Sequence, residues 1–314
     1  MAYYIGIDLG GSHFSVGIVD AQWCIIGEAA APSAPERGAA AVAADMAAHI
    51  RRALDAAGLS LSDCCAVGIG SPGTCDSATG VVLQAHNLGW YRVPLCALLQ
   101  AELGVPAFLA NDGDCAALGE VCAGAAQGSE NTLLVALGTG VGGGVILGGK
   151  ICSGHRALGG ELGHICIQMD GAECTCGARG CWEAYASAAA LVRQAEAAAA
   201  AEPASALCAV GTLDGRKIFD AARAGDRTAE AVLARWYQYI GVGLVNLTNV
   251  LFPEVILLGG GVSAQGETLL APVRAYVASH IFVRDCAQPP RIECAALANR
   301  AGVIGSAAFA AGCL

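Results

Sequence analysis

Leu133-Leu134-Val135-Ala136-Leu137-Gly138-Thr139-Gly140-Val141-Gly142-Gly143-Gly144-Val145-Ile146-Leu147 (133–147) is the stretch on which the fold turns. Its glycines satisfy G-x-G-x-x-G, the fingerprint of a dinucleotide-binding turn when a helix follows. Here a second β-branched run follows, so the helix N-terminus that would hold a pyrophosphate is missing. Strand, glycine turn and returning strand predict a hairpin instead. The same plan stands at the start of the chain, with Tyr4-Ile5-Gly6-Ile7, the turn Asp8-Leu9-Gly10-Gly11-Ser12-His13, and Phe14-Ser15-Val16-Gly17-Ile18-Val19. A plan repeated at the head of each half predicts an internally duplicated α/β chain of two related domains, each presenting its turn to a cleft between them.

Working outward, the pattern predicts helices over Ala39 to Gly58, Leu95 to Leu103, Glu183 to Glu202, Ala229 to Leu251, Gly266 to Ser279 and Gly302 to Gly312. Strands are expected at Ala66 to Gly70, Ala107 to Ala110, Glu254 to Leu258 and Arg291 to Leu297. With 314 residues, 55% of them hydrophobic and only 14% charged, there is material for a large core and little for a disordered chain. The net charge of −10 and the scattered basic residues argue against nucleic acid and against a polybasic membrane anchor. Gly243 to Val262, the most apolar stretch, is broken by Asn246, Asn249, Pro253 and Glu254, so no spanning helix is expected. The N-terminus lacks a signal-peptide pattern, and the expected location is the cytoplasm. Of the 16 cysteines, most lie singly in apolar or Ala-rich segments, among them Cys64, Cys65, Cys96, Cys115, Cys122, Cys208 and Cys313, and are expected as small core residues.

Either glycine turn alone can be structural, but two of them heading two halves point to a shared ligand. Glycine hairpins let backbone N–H groups approach phosphate oxygens, with Ser12 and Thr139 as added hydroxyl donors. Asp8 ends its strand just before the first turn, where a carboxylate repels phosphate unless a cation intervenes; this points to a magnesium–nucleotide complex, the alternative being a turn aspartate bonded to its own backbone. Gly259-Gly260-Gly261 follows a buried strand and reads either as room for a flat adenine or ribose or as a tight strand-to-helix turn. Asn111-Asp112 stands at the carboxyl end of a strand, where α/β sheets place ligand contacts. Phosphoryl transfer to an alcohol needs one carboxylate to take the hydroxyl proton, a role that fits Asp112, while Asn111 suits a neighbouring sugar hydroxyl. The competing reading is an N-cap pair for the next helix, and Asp114 is expected as a cap rather than a base.

The most specific signal is Gly160-Glu161-Leu162-Gly163-His164 followed by Cys174-Thr175-Cys176-Gly177-Ala178-Arg179-Gly180-Cys181-Trp182-Glu183. His164, Cys174, Cys176 and Cys181 match a closed tetrahedral Cys3His site, so a structural zinc is expected; a redox pair or ordinary buried thiols are the alternatives. Such a metal would fix Glu161 and Glu183 together, carboxylates suited to the vicinal hydroxyls of a sugar, with the second ring nitrogen of His164 turned toward the same ligand. Glu183 can also simply begin the following helix.

These motifs, with Asn111-Asp112-Gly113, Leu257-Leu258-Gly259-Gly260-Gly261-Val262 and the terminal Ala301-Gly302-Val303-Ile304-Gly305-Ser306-Ala307-Ala308, resemble the ROK family of sugar kinases and sugar-responsive repressors over essentially the whole chain. The resemblance implies the duplicated actin-like (ribonuclease H-like) ATPase fold. Its small domain would comprise residues 1–120 with a returning C-terminal helix, 300–314, and its large domain 121–299, carrying the zinc. It implies Asp112 as base, with Asn111, Asp112, Glu161, His164 and Glu183 around a hexose, joined by Gly73 and Asn87. Asp8, Gly10, Gly11, Ser12, Thr139, Gly140, Gly259 and Gly260 would serve ATP and Mg2+. It further implies a homodimer or homotetramer. Repressor members carry a DNA-binding domain ahead of the first turn; this sequence shows none, which favours the kinase. Asn87-Leu88-Gly89-Trp90 and the run from Cys181 to Ser187 look most like glucokinases, which phosphorylate the 6-hydroxyl of glucose. His13 and Gly113-Asp114 depart from the usual pattern, and Gly113 also occurs in N-acetylmannosamine kinases. Fructose, allose or an N-acetylhexosamine as substrate, or a sugar sensor without turnover, are the alternatives.

Overall fold

The structure, a computed structural model, describes residues 2–209 and 211–314. Strict alternation builds β1 (Tyr3–Leu9), in which Ile5, Ile7 and Leu9 are fully buried on one face and Gly6 and Asp8 occupy the other. It pairs antiparallel with β2 (His13–Val19), Leu9 opposite Phe14, so the first glycine turn closes a hairpin as expected. β2 pairs antiparallel with β3 (Ile25–Pro32), and α1 (Ala39–Ala57) then leads to β4 (Cys64–Ser71), parallel to β1. A small antiparallel sheet follows, made of β5 (Thr74–Asp76), β6 (Val81–Ala85) and β7 (Trp90–Val93). After α2 (Leu95–Leu103), β8 (Ala107–Asn111) runs parallel to β4 and passes directly into α3 (Asp112–Ala123). The first sheet therefore has the order β3-β2-β1-β4-β8.

The plan is then repeated. β9 (Thr132–Leu137), β10 (Val141–Leu147) and the short β11 (Lys150–Ile151) come first. Four helices follow: α4 (Glu183–Ala186), α5 (Ala188–Ala201), α6 (Gly215–Arg223) and α7 (Arg227–Leu251). Next come β12 (Val255–Gly259), α8 (Glu267–His280), β13 (Arg291–Cys294) and finally α9 (Ala301–Gly312). The second sheet has the order β11-β10-β9-β12-β13, the same arrangement of hairpin strands followed by parallel strands as the first. The internal duplication read from two glycine turns is thus present in the topology.

Packing divides the chain into two compact units. One holds residues up to Leu134, Gly143–Gly160 and Ala295–Leu314; the other holds Val135–Gly142 and Glu161–Cys294. In the first, α9 lies flat on a row of glycines that crosses the sheet, Gly17 opposite Gly6 and Gly6 opposite Gly68. A Cβ on Gly6 would stand 1.9 Å from the Val303 carbonyl oxygen and one on Gly68 1.8 Å from that of Ser306, so the helix backbone occupies the space side chains would need. The Ser306 hydroxyl donates to the Ile7 carbonyl at 2.9 Å, tying α9 to β1.

Three expectations change. The helix expected over Glu183 to Glu202 is broken at Ser187, whose backbone is extended and whose hydroxyl accepts from the Ala190 N–H at 3.0 Å, an N-cap that separates α4 from α5. The strand expected to reach Leu297 ends at Cys294, because the N–H groups of Ala296 and Leu297 donate instead to the buried Glu120 carboxylate, at 2.9 and 2.7 Å. Cys64, Cys96 and Cys115 are buried as expected, but Cys65, Cys208 and Cys313 are exposed. Among the described residues, no helix is long and apolar enough to cross a membrane.

Candidate active site

Within the first unit, the end of β8 and the start of α3 place Asn111 and Asp112 side by side. Asn111 is the N-cap of α3: its Oδ1 accepts from the N–H groups of Gly113 and Asp114 at 2.8 and 3.3 Å, and its Nδ2 donates to the Gly73 carbonyl at 3.1 Å. One Nδ2 hydrogen is left for a ligand. Asp112 is half-buried, in the first turn of α3, and accepts from the Gly113 N–H at 2.9 Å, so its carboxylate sits in the positive field of the helix N-terminus. Asp114 does not cap the helix; it is buried and accepts from the Ser153 hydroxyl. Asp8 closes β1, and burial, followed by the charge of Asp112, raises its carboxyl to about 6. A Cβ on Gly302 would come within 2.6 Å of the Asp8 carboxyl carbon, so the start of α9 rests on that group. Two carboxylates near enough for one to raise the other are the donor set expected where a hydrated divalent ion binds.

The turn after β1 is closed by a Gly10 N–H donating to the His13 carbonyl at 2.8 Å. Ser33 pins it, its hydroxyl donating to the Gly10 carbonyl at 2.7 Å and its N–H to that of Ser12 at 2.9 Å. Ser12 is exposed, and Gly11 packs against the exposed Asn87, a Cβ there standing 3.2 Å from that of Asn87. Gly73 has φ +84° and a Cβ would meet the Gln84 carbonyl oxygen at 2.2 Å, so this position demands glycine whatever it binds.

Within the second unit, the Gly138 N–H donates to the Gly140 carbonyl at 2.9 Å and leaves Thr139 exposed at the tip. Glu183, first residue of α4, buttresses this turn: its Oε2 accepts from the Val141 N–H at 3.0 Å and its Oε1 from the Thr175 hydroxyl at 3.2 Å. Gly259 ends β12, and Gly260 lies so close to β9 that a Cβ would stand 2.3 Å from the Leu137 carbonyl oxygen. Glu161 and His164 are exposed at the two ends of one short helical turn.

The metal-ligand pattern converges. Donor atoms of His164, Cys174, Cys176 and Cys181 all lie within 4.8 Å of one another, with His164 Nδ1 3.6 Å from Cys174 Sγ and Cys176 Sγ 3.7 Å from Cys181 Sγ. A tetrahedral zinc with Zn–S of about 2.3 Å and Zn–N of about 2.0 Å has edges of roughly 3.8 and 3.5 Å, so the four residues fit it. The N–H of Ala178 holds the Cys176 thiol below its ordinary range, whereas burial pushes Cys181 up to about 12.

Residues 4–312 match the model of the ROK family. The chain belongs to that family. The glucokinase of Halalkalibacterium halodurans is 36% identical over 308 residues, 96% of this chain and 93% of that protein. Among solved structures, a ROK family glucokinase from Streptomyces griseus in complex with glucose and AMPPNP is similar with 34% identity and a TM-score of 0.80 over 99% of both chains. A ROK hexokinase from Thermus thermophilus is 35% identical, with a TM-score of 0.83 over 98% of both. The fold of this ROK chain is accordingly the duplicated actin-like ATPase fold in two domains.

Two residues that position candidate site residues escaped the sequence reading. Ser33 lies 23 residues from the turn it pins, in a segment with no motif of its own. Ser153 holds Asp114 across 39 residues with equally little local signal. Gly113, one of the departures from the family pattern, has a packing reason here: a Cβ would stand 2.4 Å from the Gly143 carbonyl oxygen.

Proposed function

We propose that this ROK protein is an ATP-dependent glucokinase that transfers the γ-phosphoryl group to the 6-hydroxyl of glucose, with Asp112 as general base. The observation that carries the reading is Asp112 itself, an acceptor fixed at a helix N-terminus beside a second carboxylate, in a chain of this family. Asp112 takes the hydroxyl proton as the oxygen attacks phosphorus. Asp8 would hold the water shell of a magnesium ion, which would neutralise phosphate charge there. Gly10, Gly11, Ser12, Thr139 and Gly140 offer backbone and hydroxyl donors to phosphates, and Gly259 and Gly260 leave a bare strand end for the nucleoside.

The sugar reading assigns Asn111 through its free Nδ2 hydrogen, with Glu161, Glu183 and His164 as hydroxyl partners and Gly73 and Asn87 as neighbouring contacts. The Cys3His cluster holds a structural zinc: Nδ1 of His164 faces the thiols, leaving its Nε2 for a hydroxyl. The protein acts in the cytoplasm as a homodimer or homotetramer. A coupled assay across glucose, mannose, fructose, allose and N-acetylmannosamine tests the reading; glucose should give the highest kcat/KM with ATP. Glucose binding without ATP turnover would make the chain a sensor instead.

A further inference from the structure

Cys166 and Cys181 face each other as an isolated antiparallel bridge. On one side the Ile167 N–H donates to the Gly180 carbonyl at 2.9 Å, and on the other the Trp182 N–H donates to the Ile165 carbonyl at 2.8 Å. The two cysteines therefore form a non-hydrogen-bonded pair, the ladder position whose Cα atoms lie about 4.5 Å apart with side chains on one face. Disulfides span Cα separations of about 4.4–6.8 Å, so the backbone at this pair is already set for one. Cys181 is buried and belongs to the four-donor cluster, whereas Cys166 is exposed and outside it, its Sγ 3.8 Å from the Arg179 carbonyl oxygen. A fourth thiol thus stands across the ladder from a member of the four-donor cluster, on the side open to solvent.

We propose that Cys166 and Cys181 are a redox pair through which a hydroperoxide dismantles the metal centre. The Cys166 thiolate attacks the O–O bond of hydrogen peroxide, forming a sulfenic acid and releasing hydroxide. Rotation about χ1 brings this sulfur to Cys181, whose sulfur attacks it, forms the S–S bond and expels a second hydroxide. Two electrons leave the two sulfurs, and one peroxide becomes two waters once two protons are taken up. The centre keeps His164, Cys174 and Cys176, three donors in place of four, and its affinity for zinc falls. A dithiol reverses the step by exchange. The consequence for the metal rests on the zinc reading above; the pairing itself does not.

The test treats the protein as isolated with hydrogen peroxide in the presence of a chromogenic zinc chelator, then maps disulfides by alkylation, digestion and mass spectrometry. The expected result is a peptide linking Cys166 to Cys181 that appears together with released zinc, both reversed by dithiothreitol. In Cys166→Ser the linked peptide is absent and zinc release slows by about tenfold or more. Cys286→Ser, which removes a different exposed thiol, behaves as the wild type. Zinc release as fast in Cys166→Ser as in the wild type, or Cys166 found linked elsewhere or only over-oxidised, overturns the proposal. Protein that is isolated without zinc and still yields the linked peptide overturns the zinc reading while the pairing stands.

Discussion

The Glu183 carboxylate accepts the Val141 N–H at 3.0 Å, joining the residue two positions after the last cysteine of the four-donor cluster to the glycine turn between β9 and β10. The same carboxylate takes the Thr175 hydroxyl, between two cysteines of that cluster. The Cys3His segment and the turn proposed to hold phosphate are thus fastened by one side chain. Glu183→Ala removes the acceptor and frees the turn, so KM for ATP should rise by about five- to tenfold, the equivalent of one lost charge-assisted hydrogen bond, in addition to any loss of sugar affinity. Glu183→Gln keeps an oxygen for Val141 and should raise KM for ATP less than the alanine variant. Steady-state kinetics with each substrate varied separately distinguishes the two effects; unchanged KM for ATP in the alanine variant would remove the buttressing role.

Asp112→Asn keeps the size and the acceptor oxygen facing the Gly113 N–H but cannot take a proton at neutral pH. Loss of a general base should lower kcat by about 10²–10⁴-fold. Glucose binding, measured by calorimetry, should change by no more than about threefold, because an amide still accepts a hydroxyl hydrogen bond. Turnover retained at the wild-type rate would exclude Asp112 as the base.

What was legible in the sequence follows from how local each signal is. The duplicated hairpins were visible because a glycine turn between two β-branched runs needs only adjacent residues, and the Cys3His cluster because its ligands lie within 18 positions, from His164 to Cys181. Asp112 is proposed from its place after a strand, and β8 does end directly before it. Glu120 could not be found this way: its carboxylate gathers the N–H groups of Ala125, Ala296 and Leu297, two of them more than 170 residues away. Ser33 and Ser153 were hidden for the same reason. The break at Ser187 was readable in principle, since a lone serine inside an alanine run is a cap signal, but the alanine composition outweighed it. The exposed cysteines show that an apolar sequence neighbourhood does not decide which face of an element a thiol occupies.

Asp8 has the sign opposite to that of a salt-bridged carboxylate. Its folded value of about 6 lies above its ordinary 3.8, so the folded protein binds the extra proton between these pH values. Stability from this group is complete below about pH 4, falls as pH rises through the window, and its cost is fully present above about pH 6. A shift of this size corresponds to about 3 kcal/mol at most. Asp8→Asn, which stays neutral, should therefore be more stable than wild type at pH 8 by about 1–3 kcal/mol in urea unfolding, with the gap closing toward pH 4. Its kinase activity should nevertheless fall steeply if Asp8 orders the metal's water shell.

Gly305 is where α9 meets α3 most closely: a Cβ there would stand 1.6 Å from the Cys115 carbonyl oxygen. The obstacle is backbone, which no rotamer change can move, so Gly305→Ala must push the two helices apart. The expected cost is about 3 kcal/mol or more, seen as a lower urea midpoint. Gly312→Ala on the same helix meets nothing within 4 Å and should be neutral or slightly stabilising.

Removal of the metal tests the remaining assignment on stability rather than on catalysis. The segment from Glu161 to Trp182 has short bridges and turns but no long helix or strand of its own, and most of its residues are exposed. Few apolar contacts hold it, so a bound metal would supply much of its order. Native protein should contain about one zinc per chain by metal analysis. Chelation should lower the melting temperature by several degrees, and amide exchange should speed up first between Glu161 and Ser187 while β1 and β4 stay protected. Cys174→Ser and Cys181→Ser should reproduce the chelated state without chelator, whereas Cys313→Ser, an exposed thiol at the end of the chain, should not.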